Sequence, residues 1–153
     1  GADDPKAAWV ASVGARYLSA ATMSLDDVAT ALGRIDLVYE ATGASRLSFE
    51  ALERLGVNGV FVFTGVPGRK GPIQIDADRL MRNLVLKNQL VFGTVNASDH
   101  AFTAAVDDLG RMVARWPDAV RALITGRVTP EAAAGLLTGP STGIKNVVSF
   151  AAE

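Results

Sequence analysis

An open α/β sheet with parallel strands is the architecture that this sequence predicts, and three observations lead to it. Short β-rich runs alternate with helical stretches at the spacing of strand–helix–strand units, which join parallel strands through right-handed crossovers. The run Gly59-Val60-Phe61-Val62-Phe63 is almost unbroken in apolar side chains, as expected of a central strand buried on both faces. The β-rich runs end in small, turn-forming stretches: Ala41-Thr42-Gly43, Thr64-Gly65-Val66-Pro67-Gly68 and Thr94-Val95-Asn96.

Taken in order, Asp4 and Pro5 read as an N-cap and first helical residue. Trp9, Val10 and Val13 give that helix its apolar face, and Gly14 ends it. Ala15 to Ser19 is a short strand candidate. Ser24 caps a second helix, with Leu25, Val28, Ala29 and Leu32 at i, i+3, i+4 and i+7. Ile35 to Glu40 is a strand. The helix after it begins at Ser45 or Ser48 and carries Phe49, Leu52 and Leu55 before Gly56. Beyond the central strand and a polar loop, Arg69 to Pro72, comes Ile73-Gln74-Ile75, then a helix from Asp76 bearing Leu80, Leu84 and Val85. Leu90 to Val95 is a further strand. A long helix from His100 to Trp116 includes Phe102, Ala105, Val106, Leu109 and Val113 among its apolar positions. Pro117 starts a short helix through Leu123. Thr129-Pro130-Glu131 opens another, ending near Gly139-Pro140. Ile144 to Phe150 is a last, alternating strand.

Composition limits the function classes. The length of 153 residues fits one domain or most of one, and 49% hydrophobic residues supply a core that excludes intrinsic disorder. With 15 basic and 16 acidic residues the net charge is -1, so the sequence lacks the electrostatic footprint that nucleic acid or an anionic membrane selects. No stretch approaches the run of about 18 apolar residues that a membrane span needs. The polar, acidic start, Gly1 to Pro5, does not read as a signal peptide. Cysteine is absent, which excludes disulfides and thiolate metal sites and is compatible with the cytoplasm, where we expect the protein.

In open α/β sheets, ligands sit outside the carboxyl ends of the strands. Three consecutive small or amide-bearing strand ends therefore point to a shared crevice whose backbone is open to a flat ligand. A dinucleotide site also calls for a Gly-rich turn where a helix N-terminus meets the pyrophosphate. No G-x-G-x-x-G occurs in the chain. Either the ligand is of another kind, or the first strand–helix–strand unit lies upstream.

The run Asp36-Leu37-Val38-Tyr39-Glu40-Ala41-Thr42-Gly43 resembles the fourth Rossmann strand of zinc-type, medium-chain glucose 1-dehydrogenases. Asn58-Gly59-Val60 leading to Thr64-Gly65-Val66-Pro67, Gly93-Thr94-Val95-Asn96, and Ile144-Lys145-Asn146-Val147-Val148-Ser149-Phe150 are similar to that family in the same order. The resemblance implies an incomplete Rossmann-type parallel sheet, its first two strands missing, followed by C-terminal helices and a final strand. It implies that residues 1–153 are a C-terminal part, with later Rossmann units over about 1–96 and a return segment over about 97–153. By the same resemblance, Thr64, Gly65 and Val66 hold the nicotinamide carboxamide through backbone groups, and Thr94 and Val95 contact the ring. Asn96 bridges cofactor and sugar, with an amide able both to donate to and accept from hydroxyls. Thr42 and Gly43 run beside the adenosine half, and Lys145 lies against the pyrophosphate. The cofactor is NAD or NADP. Zinc, a Lewis acid for the sugar hydroxyl in this family, is expected only in the upstream part.

The implied function is oxidation of the C1 hydroxyl of glucose or another aldose by hydride transfer to NAD(P), with no catalytic residue in this segment and no activity of the segment alone. Two other readings stay open: a medium-chain dehydrogenase acting on an alcohol or polyol, and a non-enzymatic binding or assembly module. A homo-oligomer is expected, because a parallel sheet lacking strands has edges that invite association. The remaining candidates read as structural. His100 beside Asp99 has no evident partner for base chemistry. Asp26-Asp27 and Asp107-Asp108 are adjacent on helices, so their carboxylates diverge. Trp9 and Trp116 read as packing residues.

Overall fold

The computed structural model describes residues 5–68, 71–140 and 142–150. In chain order its elements are α1 (Pro5–Ser12), α2 (Leu25–Leu32), β1 (Leu37–Glu40), α3 (Ser45–Glu53), β2 (Val60–Phe63), α4 (Ala77–Leu86), β3 (Leu90–Gly93), α5 (Asp99–Arg115), α6 (Pro117–Ala122), β4 (Ile124–Val128), a 3-10 turn at Pro130–Ala132, α7 (Ala133–Thr138) and β5 (Lys145–Val148). Two compact units result: Leu18–Asn96, and Gly1–Tyr17 together with Ala97–Glu153.

In the unit Leu18–Asn96 the strands form a parallel sheet in the order β1-β2-β3. The apolar run therefore does form the central strand. Alternation along each strand places Val38, Phe61 and Val91 on one face in register, with Phe63 two residues beyond Phe61. That face packs on Leu52 and Leu55 from α3 and its C-terminal turn, and on Leu80 from α4. Phe61 is 0% exposed, a burial worth about 2–3 kcal/mol. Phe49, Phe61 and Phe63 add tilted ring contacts with centroids 4.6 Å and 6.0 Å apart.

Helices α2, α4 and α5 start where the sequence provides side-chain acceptors for their first amides. Ser24 Oγ accepts from Asp27 N at 3.1 Å while the Asp27 carboxylate accepts from Ser24 N at 3.0 Å, a reciprocal capping box. Asp76 caps α4 by accepting from Arg79 N, and Ser98 caps α5 by accepting from Ala101 N. Of the two starts considered for α3, Ser45 is the first helical residue. Ser48 is inside the helix and buried, its Oγ donating to Ala44 O at 2.9 Å.

In the second unit β4 and β5 form a parallel pair, with a bulge between Ile124 and Gly126. Trp9 Nε1 donates to Ala119 O at 2.7 Å, tying α1 to α6. The Arg115 guanidinium lies 4.4 Å from the centroid of the Trp116 ring, a cation–π contact. Among the described residues no helix is long and apolar enough to cross a membrane.

Two expectations need correction. Ala15–Ser19 is not a strand. Its backbone groups are used locally: Ala15 N donates to Val10 O to close α1, and Ser19 O accepts from Thr22 N and Met23 N in a turn. Conversely, Ile124–Val128 forms a strand that its sequence did not signal, since Gly126 interrupts the apolar run. A Cβ on Gly126 would lie 2.3 Å from Asn146 Oδ1, so the Asn146 side chain on β5 would have to turn away to admit one. The expected cap Asp4, and Arg69 and Lys70 of the polar loop, lie outside the described residues.

Candidate functional site

The parallel register aligns the carboxyl ends of three strands, with Glu40 opposite Phe63 and Phe63 opposite Gly93. Consequently Thr42-Gly43, Thr64-Gly65-Val66 and Thr94-Val95-Asn96 leave the sheet at the same edge. Thr94 N donates to Phe63 O at 3.0 Å, which carries the pairing one residue beyond β3.

The first two tips are in direct contact. Thr64 N and Thr64 Oγ1 each donate to Glu40 O at 2.8 Å, and Gly65 N donates to the same oxygen at 3.0 Å. A Cβ on Gly65 would lie 2.1 Å from Gly43 N, and one on Gly43 would lie 2.6 Å from Val66 O. Gly43 also has φ +65°, a left-handed conformation that other L-residues adopt only under strain. Both glycines are thus required by the backbone approach of one loop to the other.

At the centre of this contact is Glu40, which reading the residues in order did not single out. It is 7% exposed. Its Oε1 accepts from Thr42 N at 2.7 Å, Thr42 Oγ1 at 2.6 Å and Gly43 N at 2.9 Å. The Thr42 hydroxyl holds the carboxyl below the ordinary glutamate value of 4.5. Burial opposes this, and the backbone amides of Thr42, Gly43 and Gly65 reinforce it. The available signal was strand alternation: Glu40 falls on the same face as Val38, where a carboxylate must find several donors.

Around this polar centre the rim is apolar and open, with Val66 77% and Val95 74% exposed. Thr94 and Asn96 are also exposed. The ledge offers backbone groups and two valine side chains to a flat ring, and the Asn96 amide to a hydroxylated ligand. These features suit a flat ligand. The Gly-rich turn that would hold a pyrophosphate has no counterpart in the sequence. Lys145 belongs to the second unit, where it begins β5 and is exposed. Among the described residues no group of three or more His, Cys, Asp or Glu side chains is placed to hold a metal ion. Asp26 pairs with Arg54 at 2.9 Å and Asp108 with Arg111 at 2.8 Å, ordinary surface ion pairs.

A parallel sheet of this order, with its polar, glycine-bearing tips gathered along one edge, defines the later part of a Rossmann-like dehydrogenase fold. Haloferax mediterranei glucose dehydrogenase in complex with NADP, Zn and gluconolactone has that fold, with a TM-score of 0.85 and 25% identity across 100% of this chain and 42% of that chain. Residues 1–150 match the family described as glucose dehydrogenase C-terminus, and the chain belongs to it. Glucose 1-dehydrogenase of Halobacterium salinarum is 34% identical over 147 residues, 96% of this chain and 40% of that protein. An alcohol dehydrogenase from Thermotoga maritima is also similar, with a TM-score of 0.70 and 26% identity over 85% of this chain and 36% of that chain. The chain thus spans about 40% of the length of the glucose dehydrogenase relatives.

Proposed function

We propose that this chain forms the nicotinamide-facing part of the cofactor site in an NAD(P)-dependent glucose (aldose) 1-dehydrogenase. The observation that carries the reading is the register of the sheet, which brings the three strand tips to one edge within a chain of the glucose dehydrogenase C-terminus family. In this reading the cofactor supplies the hydride acceptor for C1 of the sugar. The protein binds and orients. Backbone groups of Thr64, Gly65 and Val66 hold the carboxamide, and Thr94 and Val95 form the surface beneath the ring. Asn96 hydrogen-bonds to cofactor and sugar hydroxyls. Thr42 and Gly43 line the adenosine side. A homo-oligomer belongs to the same proposal.

The test is a set of initial rates for the full-length protein on glucose, galactose and simple alcohols, each with NAD and with NADP. Aldose oxidation well above alcohol oxidation is expected. The likeness to an alcohol dehydrogenase gives the competing outcome, and equal or faster turnover of alcohols would reject the sugar assignment. A cofactor titration of residues 1–153 alone should show binding far weaker than that of the full-length protein, because the chain has no Gly-rich pyrophosphate turn.

A further inference from the structure

We propose that Glu40 is a positioning residue for the cofactor site, its buried carboxylate and its own carbonyl joining the first two strand-tip loops into one rigid ledge. The inference rests on the dehydrogenase reading above and assigns within it a residue that contacts loops rather than ligand.

Glu40 ends β1 on the packed face of the sheet, where a carboxylate is stable only if it is well supplied with donors. The carboxylate takes its donors from the first loop, and the Glu40 carbonyl takes those of the second. Thr42 N, Thr42 Oγ1 and Gly43 N all reach Oε1 from the first tip, at 2.6–2.9 Å. The second tip is held by the Glu40 carbonyl, through Thr64 N, Thr64 Oγ1 and Gly65 N at 2.8–3.0 Å. The Gly65 amide also lies against the carboxylate, whose Oε2 would be 2.8 Å from a Cβ at position 65. One residue therefore sets the spacing between the tips, and Val66, next in the chain, is the exposed edge of the ledge. A carboxylate can do this because it accepts on every side. A carboxamide cannot, since either orientation turns an NH2 group toward a backbone N–H.

The discriminating variant is Glu40→Gln in the full-length protein, nearly the same in shape but unable to accept on both sides. Its KM and Kd for NAD(P) should rise about tenfold, with the KM for glucose within about twofold of wild type. Thr42→Val keeps the carboxylate and removes one donor. It should raise the cofactor KM about threefold and serves if Glu40→Gln fails to fold. A purely stabilising role would lower the melting temperature and leave the cofactor KM of the folded enzyme unchanged, and that result for either variant overturns the proposal. A wild-type protein that binds no nicotinamide cofactor would instead overturn the dehydrogenase reading, and this proposal with it.

Discussion

The two ends of the same three strands are built on opposite plans. At the amino ends the chain is closed by packing and by one amide side chain. Gln89 Nε2 donates to Leu55 O at 2.7 Å and to Gly56 O at 3.1 Å, Gly56 N donates to Ile35 O, and fully buried Leu55 lies beneath. A Cβ on Gly59 would come within 2.6 Å of the Leu55 side chain, so this end is close-packed. At the carboxyl ends the centre is a buried carboxylate ringed by donors, and the outer rim is exposed valine. Exposed apolar side chains occur at both ends, Leu37 and Leu90 at the one and Val66 and Val95 at the other. What separates the ends is the buried charge at the carboxyl side, which costs stability and is expected where a ligand binds.

Substitutions at the two ends should therefore separate binding from stability. The largest effect is expected for Gly65→Ala, whose Cβ would sit 2.1 Å from Gly43 N and force the tips apart. A displacement on this scale should lower kcat/KM by about 100-fold, measured in full-length protein that remains folded by circular dichroism. Gln89→Ala, at the other end, removes two hydrogen bonds, to Leu55 O and Gly56 O, and should cost about 1–3 kcal/mol in urea unfolding with no change in cofactor KM. An altered cofactor KM there would erase the contrast between the ends.

A smaller effect, about 1 kcal/mol, is expected on removing the cap of α2 by Ser24→Ala, again in stability alone. Val66→Ala trims the exposed ledge and should weaken cofactor binding about threefold while leaving the melting temperature unchanged.

The carboxylate also sets a pH dependence. Because Glu40 is held below its ordinary 4.5, the folded state favours its ionised form. Its contribution to stability is complete above 4.5 and is lost as pH falls through the depressed folded value. The difference in unfolding free energy between wild type and Glu40→Gln should accordingly be largest near neutral pH and shrink below pH 4.5. A difference that stays constant down to strongly acid pH would show that the ionised form is not what holds the loops.

Much of this arrangement was legible in local residue patterns. Gly59 to Phe63 announced a strand covered on both sides, and Val60–Phe63 is the middle strand of the sheet. Ser24 with Asp27 and Asp76 with Arg79 mark helix starts through acceptors within four residues of the amides that they satisfy. The strand ends with their glycines and threonines were visible too. Ala15–Ser19 misled because β-rich composition makes no ladder where the backbone groups are already satisfied by a helix end and a turn. Ile124–Val128 was missed for the converse reason, since its ladder is supplied by β5, about twenty residues further on.

What the amino-acid sequence determined by itself was the set of elements whose causes are local: caps, helix faces, the apolar central strand and the glycines that stop each run. What only the tertiary structure decided was which groups meet. The register of β1 against β2 brought Gly43 to Gly65 and turned Glu40 from one charged residue among several into the shared acceptor of two loops. The physical reason is that a buried acceptor is defined by its donors, and those of the Glu40 carboxylate and carbonyl come from two loops more than twenty residues apart in the chain.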